Sequence, residues 1–181
     1  MNAAEKPLPA SIRPIRAADL EEFRACLDRV ARERVHIAFT AAPKVQQAQF
    51  FLGNMLKRAL PFVVAECPID GIVGWCDIYV ETEDELRPGY SHVGRLGMGL
   101  DVKFRGLGLG SAMLRVALDL ARSTRIERVE LQVYASNEPA IALYRKFGFE
   151  TEGVRRRARK LDGRYDDVVM MARLRPPQMQ D

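Results

Sequence analysis

Length, composition and charge narrow the class of protein before any motif is considered. The chain has 181 residues, which suits one domain with short tails, and its 48% hydrophobic and 29% charged residues are typical of a folded globular protein. The 28 Lys and Arg against 24 Asp and Glu leave a net charge of +4, which fits an anionic small ligand but is too small to indicate a nucleic-acid binder.

In the first half of the chain, hydrophobic periodicity and turn residues predict strands and helices in alternation. In order, we expect a strand at 12–15, a helix from residue 18, a second helix between 43 and 61, and a hairpin with strands at 62–65 and 72–80. An acidic stretch at 81–88, with Glu81, Glu83, Asp84 and Glu85, then predicts a loop, which either is simply solvated or attracts a cationic ligand.

The second half continues the alternation. We expect a glycine-interrupted strand at 92–102, an amphipathic helix from Leu109, a strand at 129–133, a helix from Pro139 to Gly148, and a closing hairpin that turns at Asp162-Gly163. Strands joined by both hairpins and crossovers predict an α/β fold, with a mixed, mostly antiparallel sheet and helices on both faces. We expect residues 11–175 to form a single domain, with tails at 1–10 and 176–181.

Several kinds of site are disfavoured. No stretch approaches the length of a membrane-spanning segment. Cys26, Cys67 and Cys76 are widely spaced, and there are only two histidines, so we expect neither a disulfide framework nor a metal site and expect a cytoplasmic protein. The basic run at 155–160 lacks interleaved aromatic residues, so cross-strand charge pairing explains it more simply than nucleic acid does.

Glycines are crowded into one part of the sequence. Six of the 13 fall within 17 residues: Gly94, Gly97, Gly99, Gly106, Gly108 and Gly110. The last three lie between a predicted strand and the start of an amphipathic helix. A helix N-terminus presents unpaired N–H groups and the positive end of a dipole, and glycines let a phosphate approach the backbone, so this turn is a candidate pyrophosphate site. Neither the P-loop pattern nor G-x-G-x-x-G fits the spacing.

The segment Arg105-x-x-Gly108-x-Gly110 resembles the Q/R-x-x-G-x-G/A signature of the GNAT superfamily of N-acetyltransferases. The similarity continues through 137–140 and 143–149 at the distance of that family's second acetyl-CoA motif. The resemblance implies an acyl-CoA N-acyltransferase fold that transfers the acetyl group of acetyl-CoA to an amine. The cofactor would lie between two strands that splay apart.

The same resemblance assigns residues to acetyl-CoA. The backbone at Leu100 and Val102 would pair with the pantetheine arm, and Gly97 and Gly99 would permit its approach. Arg105 would supply charge, Asn137 would cap the second helix and contact the cofactor, and Tyr144 would protonate the departing thiolate, unless it is simply a core aromatic. The remaining residues of the turn would hold the pyrophosphate through N–H groups: Gly106, Leu107, Gly108, Leu109, Gly110 and Ser111.

The general base that accepts the amine's proton has several candidates. Many members of the family carry a glutamate on the strand that enters the glycine cluster, whereas this sequence has Arg95 near that place. His92 begins the same strand and is the first candidate, because histidine's unperturbed pKa of about 6.5 suits a base at neutral pH. The alternative is a hydrogen-bonded histidine at a strand end. Glu66, Asp77 and Asp101 are weaker candidates.

We therefore expect an acetyl-CoA-dependent N-acetyltransferase that acts on a small primary amine such as an amino acid. The C-terminal half resembles bacterial amino-acid acetyltransferases and, nearly as closely, ribosomal-protein alanine N-acetyltransferases. A protein N-terminal acetyltransferase and a non-catalytic acyl-CoA-binding module are the alternatives, and the glycine spacing disfavours a dinucleotide-dependent oxidoreductase. The family resemblance also suggests a homodimer.

Overall fold

The computed structural model describes residues 9–80 and 88–175, which contain seven strands and four α-helices. The strands are β1 (Ser11–Pro14), β2 (Phe62–Cys67), β3 (Gly71–Tyr79), β4 (Val93–Leu100), β5 (Arg128–Tyr134), β6 (Glu150–Leu161) and β7 (Arg164–Leu174). The helices are α1 (Leu20–Arg32), α2 (Val45–Lys57), α3 (Leu109–Ala121) and α4 (Glu138–Lys146). Each predicted strand and helix is present, with bounds that differ by a few residues. The acidic run at 81–85 lies outside the described residues.

The strands form a mixed sheet in the order β1-β2-β3-β4-β5-β7-β6. Neighbours pair antiparallel from β1 to β3 and from β5 through β7 to β6, whereas β4 and β5 are parallel. The predicted mixed, mostly antiparallel sheet is therefore confirmed. The parallel ladder joins only Val93–Arg95 to Arg128–Glu130, although both strands continue beyond it.

Internal contacts divide the chain into two compact units. The first contains the residues up to Asp77 together with Met98–Leu118, and the second contains Ile78–Gly97 and the residues from Asp119 onward. The single-domain boundaries expected from the sequence stay a prediction. None of the helices in the described part of the chain is long and apolar enough to cross a membrane.

In the first unit, helices cover both faces of β2 and β3. Residues directly opposite in an antiparallel pair share a face, so Phe62 and its partner Asp77 point to one side. On that side the Phe62 ring lies 5.1 Å from the ring of Phe23 in α1 and 6.0 Å from that of Phe51 in α2. Gly74 belongs to the other face, where an added Cβ would lie 3.1 Å from the methyl of Met113 in α3.

In the second unit, β5, β7 and β6 form an antiparallel ladder that ends in the predicted hairpin turn. Asp162 and Gly163 both have positive φ, +50° and +76°, which is the conformation that two-residue hairpin turns favour. The basic run of β6 has aromatic partners as well as acidic ones. The Arg157 guanidinium lies 4.0 Å from the ring centre of Tyr165, and the backbone N–H of Arg157 donates to Asp167.

Candidate active site

The glycine turn leads from β4 into α3. β4 ends at Leu100 rather than continuing to Val102, because the side chain of Asp101 accepts the N–H of Lys103 at 3.2 Å and starts a short 3-10 helix, Val102–Phe104. Val102 therefore lies outside the strand that was expected to include it. The turn itself passes through Gly106 and Gly108, whose φ values are +74° and +87°.

The turn leaves open space beside its backbone. A Cβ added at Gly106 would find no atom of the described structure within 4 Å. α3 begins at Leu109, and the first bond into the helix from beyond it runs from the N–H of Ala112 to the carbonyl of Gly108 at 3.1 Å. The N–H groups of the first turn of a helix lack intrahelical acceptors, so those of Leu109, Gly110 and Ser111 are suited to bind an anion.

The Arg105 side chain connects the turn to two other elements. Its Nε donates to the carbonyl of Leu100 at 2.9 Å, and its Nη2 donates to Glu33, the residue that follows α1, at 2.7 Å. The guanidinium therefore ties the turn to the end of β4 and to α1. Arg105 was expected to supply charge to the cofactor, and in this structure its charge is shared with Glu33.

Two glycines of β4 are explained by packing. A Cβ at Gly99 would lie 2.1 Å from the ring of Trp75 on β3, so the indole already occupies that space. The approach of a pantetheine arm is therefore not needed to explain Gly99. In the second unit, a Cβ at Gly94 would lie 2.6 Å from Ile78 and 3.0 Å from Ile126, which accounts for a glycine that the sequence left unexplained.

The helix α4 holds two further candidates in the second unit. The side-chain oxygen of Asn137 accepts the N–H of Ala140 at 3.3 Å, so its predicted capping role is confirmed. Tyr144 is 7% exposed, and its ring centre lies 5.8 Å from that of Phe149. Gly148 ends the helix with a φ of +81°, as its position predicted.

His92 and Arg95 belong to the start of β4. His92 is exposed, and its carbonyl accepts the N–H groups of Glu127 at 2.9 Å and Arg128 at 3.2 Å. Arg95 stands opposite Glu130 in the parallel ladder, and their side chains form an ion pair at 3.4 Å. The arginine that replaces the family's usual glutamate thus belongs to a cross-strand pair within the second unit.

Two of the weaker candidate bases are held by arginines. Both carboxylate oxygens of Glu66 accept hydrogen bonds from Arg13, at 2.6 and 2.9 Å, and these bonds lower the pKa of Glu66. Burial raises the pKa of Asp101, but the hydrogen bond from Arg29 at 2.8 Å and the N–H of Lys103 outweigh it, so the net shift is downward. Both carboxylates are therefore stabilised in the ionised form.

Asp77 differs from both. Its residue is 4% exposed, and burial raises the pKa of the carboxyl to about 8. Its backbone pairs with Phe62 in the β2–β3 ladder, but its carboxyl group has no hydrogen bond or ion pair with any residue that the structure describes. The signal in the sequence was one charged residue inside the apolar run at 72–80, and Asp77 was only a weaker candidate there. No group of side chains with metal-binding character occurs in the described ranges.

Comparison with known proteins identifies the family. The sequence profile of the Acetyltransferase (GNAT) family matches residues 23–149, more than half of the chain. The chain belongs to this family. It is 37% identical over 109 residues to the L-amino acid N-acetyltransferase AaaT of Escherichia coli, a match that covers 59% of this chain and 65% of the relative. The matched segment spans 65%, 52% and 51% of the length of three of the curated relatives, and 93% of the length of a fourth.

Solved structures share the fold. A ribosomal-protein-alanine N-acetyltransferase from Brucella melitensis is 24% identical, with a TM-score of 0.80 over 91% of this chain and 99% of that one. A GNAT superfamily phosphinothricin acetyltransferase from Sinorhizobium meliloti, solved in complex with acetyl-CoA, is 20% identical, with a TM-score of 0.83 over 96% of this chain and 93% of that one. The resemblance drawn from the two sequence motifs is confirmed.

Proposed function

We propose that this protein is an acetyl-CoA-dependent N-acetyltransferase that transfers the acetyl group directly to a primary amine of a small molecule such as an amino acid. The observation that carries the proposal is the turn before α3, where two glycines have positive φ and Gly106 leaves open space beside the start of a helix. Membership of the GNAT family and the name of the Escherichia coli relative support the reaction and the class of acceptor.

The turn has the chemistry that a pyrophosphate requires. Gly106 offers space without a side chain, and the first N–H groups of α3 carry the positive end of the helix dipole. Gly106, Leu107, Gly108, Leu109, Gly110 and Ser111 are therefore proposed to hold the pyrophosphate through their backbone. Leu100 and Val102 would receive the pantetheine arm. Arg105 would keep the turn in place, and Asn137 would contact the arm in addition to capping α4.

Tyr144 is proposed as the general acid. Its pair with Phe149 and its burial hold the ring in one orientation, which a proton donor needs. A phenol can protonate a departing thiolate without a steep energetic penalty, because phenols and thiols are comparably weak acids, with unperturbed pKa values of about 10 and 8.5. The cytoplasmic location and the homodimer expected from the sequence stay predictions.

The proposed reaction is tested by the release of free thiol from acetyl-CoA. The acceptors are a panel of L-amino acids and short peptides with free N-termini. We expect thiol release with free amino acids, and Tyr144→Phe should lower kcat on the order of 100-fold while acetyl-CoA still binds. Activity on peptides alone would favour the protein N-terminal acetyltransferase. Binding of acetyl-CoA with no turnover on any acceptor would favour the non-catalytic module.

The pyrophosphate site is tested by a matched pair of glycine substitutions. Gly106 and Gly163 have nearly equal positive φ, +74° and +76°, and neither has an atom within 4 Å of an added Cβ. Gly106→Ala and Gly163→Ala should therefore cost similar stability, about 1 kcal/mol each. We expect only Gly106→Ala to weaken acetyl-CoA binding, by about ten-fold or more in isothermal titration. Equal affinities of the two variants would place the pyrophosphate elsewhere.

A further inference from the structure

Asp77 occupies the last paired position of the β2–β3 hairpin on the face that α1 and α2 cover. It stands directly opposite Phe62, while Trp75 stands opposite Val64 on the same face. The Phe62 ring contacts Phe23 and Phe51, and the Trp75 ring lies 5.8 Å from the ring of Phe23. The carboxyl group is thus attached to a strand position whose neighbours are aromatic.

Within residues 9–80 and 88–175, no cation holds this carboxyl in its ionised form, and burial is the cause of its raised pKa. β2 presents Phe62 and Val64 to this face, and Phe23 of α1 and Phe51 of α2 contact the Phe62 ring. The nearest titratable neighbour on its own strand is Cys76, which points to the opposite face and whose own pKa is raised, first by burial and then by Asp77. Arg29, a cation of α1, is already engaged by Asp101 and by the carbonyl of Ile72.

Ionising a buried carboxyl that has no partner destabilises the folded state. Burial without compensation disfavours a charge, so the carboxyl keeps its proton to a higher pH. Burial raises the pKa of Asp77 to about 8. A carboxyl with such a pKa can both take up and release a proton near neutral pH, as a general base must.

On this face of the sheet, β3 lies against β4, the strand whose end the proposed function assigns to the pantetheine arm. Trp75 is two residues from Asp77 along β3, and its ring covers Gly99 of β4, next to Leu100. Side chains two residues apart in a strand point to the same side. Asp77 therefore shares this face with Gly99, on a segment next to the proposed acetyl-CoA backbone site.

We propose that Asp77 is the general base of the transferase and accepts a proton from the acceptor amine, either directly or through one water molecule. The inference rests on the proposed function. It replaces His92 in that role, because His92 is exposed at the start of β4. Glu66 and Asp101 are not suited to the role either, because arginines hold both carboxyl groups in the ionised form.

The proton balance of the reaction is closed. An ammonium group loses one proton to the Asp77 carboxylate and becomes a neutral amine. The amine nitrogen forms a bond to the carbonyl carbon, the bond between that carbon and sulfur breaks, and the electron pair leaves on the thiolate. Tyr144 protonates the thiolate and recovers a proton from the nitrogen, and Asp77 releases its proton to water. The products are the amide, free coenzyme A and one proton.

The test compares kcat/KM of the wild type and Asp77→Asn between pH 6 and pH 9.5, with an amino acid or peptide that the wild type acetylates. The ratio of the two values cancels the titration of the free amine and leaves that of Asp77. We expect a loss on the order of 100-fold at pH 8.5. We also expect the ratio of wild type to variant to rise with pH and to level above about pH 8, the pKa of Asp77. A merely structural role would not produce this titration.

Three further variants complete the experiment. His92→Gln and Glu66→Gln test the two competing bases, and neither should show the pH-dependent loss expected of Asp77→Asn, whereas Asp77→Glu keeps a carboxyl and should exceed Asp77→Asn. Acetyl-CoA affinity within about two-fold of the wild type shows that each variant is folded. If Asp77→Asn is as active as the wild type, or if His92→Gln loses the activity instead, the base role is wrong while the transferase stands. A wild type that binds acetyl-CoA but acetylates nothing overturns both.

Discussion

Asp77 and Asp101 are both buried, at 4% and 8% exposure, and belong to the same unit of the chain. Asp101 is surrounded by donors, because Arg29 binds its carboxylate at 2.8 Å and Lys103 donates a backbone N–H at 3.2 Å. Among the described residues Asp77 has no such donor, and it shares its face of the sheet with Phe62 and Trp75. The pKa of Asp101 is lowered as a result, whereas burial raises that of Asp77 to about 8.

The difference separates a carboxylate that stabilises the fold from one that is suited to transfer a proton. Asp101 also donates its backbone N–H to the carbonyl of Val73 at 2.8 Å, so it fixes the end of β4 and the start of the glycine turn. Its charge is used for that purpose. Asp77 fixes nothing in the part of the chain that is described, and its environment is suited to moving a proton. Burial alone therefore does not identify a candidate base. The two buried carboxyl groups differ in whether a described residue donates to them, and this difference identifies Asp77.

The largest expected effect concerns stability against pH. The folded-state pKa of Asp77 lies above its unfolded value of 3.8, so the folded protein binds more protons and its free energy of unfolding falls as pH rises from about 4 to about 8. The slope is at most about 1.4 kcal/mol per pH unit. Asp77→Asn removes this contribution to the pH dependence of the free energy of unfolding. We expect the free energy of unfolding of the variant, measured with urea, to rise relative to that of the wild type by an amount on the order of several kcal/mol between pH 4 and pH 8. Parallel curves for the two proteins would contradict this expectation.

A smaller effect is expected from displacing the Trp75 ring, which lies on the same face of the sheet as Asp77. Gly99→Ala would place a Cβ 2.1 Å from the Trp75 ring, so the ring must shift, at a cost of about 1–3 kcal/mol. Water should then reach Asp77 and lower its pKa, which carboxyl titration would detect. Gly94→Ala is the matched control, because it is crowded by Ile78 and Ile126 in the other unit. It should reduce the melting temperature but leave the titration of Asp77 unchanged.

The smallest expected effect comes from replacing Arg29, the partner of Asp101. A carboxylate with a lowered pKa stabilises the fold above its unfolded pKa, and this stability is lost as pH falls through the folded value. Arg29→Met should therefore destabilise the protein at pH 7 by about 1 kcal/mol, a modest value because the Arg29 side chain is 45% exposed. The difference from the wild type should shrink below pH 4 in chemical unfolding. A difference that persists at low pH would show that lost packing or the lost hydrogen bond to the carbonyl of Ile72, rather than the charge pair, is responsible.

Features set by local residues were predictable from the sequence. The Asp162-Gly163 turn, the Asn137 cap, the αL glycine at Gly148 and the glycine turn into α3 depend on neighbours within a few positions. Each was predicted, because turn and cap geometry is encoded in short segments. The order of strands and helices followed from hydrophobic periodicity for the same reason.

Features that depend on distant partners were not predictable. Arg105 pairs with Glu33, 72 residues away, and Gly99 is required by Trp75 on a neighbouring strand. The protonation state of Asp77 depends on its burial under elements that are distant in the sequence. The sequence alone could show a charged residue in an apolar strand, but not whether an arginine would reach it.

The titration of the two carboxyl groups in one sample tests the account most directly. Carbon-13 labelled aspartate carboxyl signals can be followed by NMR from pH 3 to pH 9, with Asp77→Asn and Asp101→Asn spectra to assign them. The account predicts that Asp101 titrates below the ordinary range of aspartate and that Asp77 titrates at about 8. If Asp77 instead titrates close to 3.8, the ordinary value, it is ionised at neutral pH like any surface carboxylate, and its distinct role is contradicted.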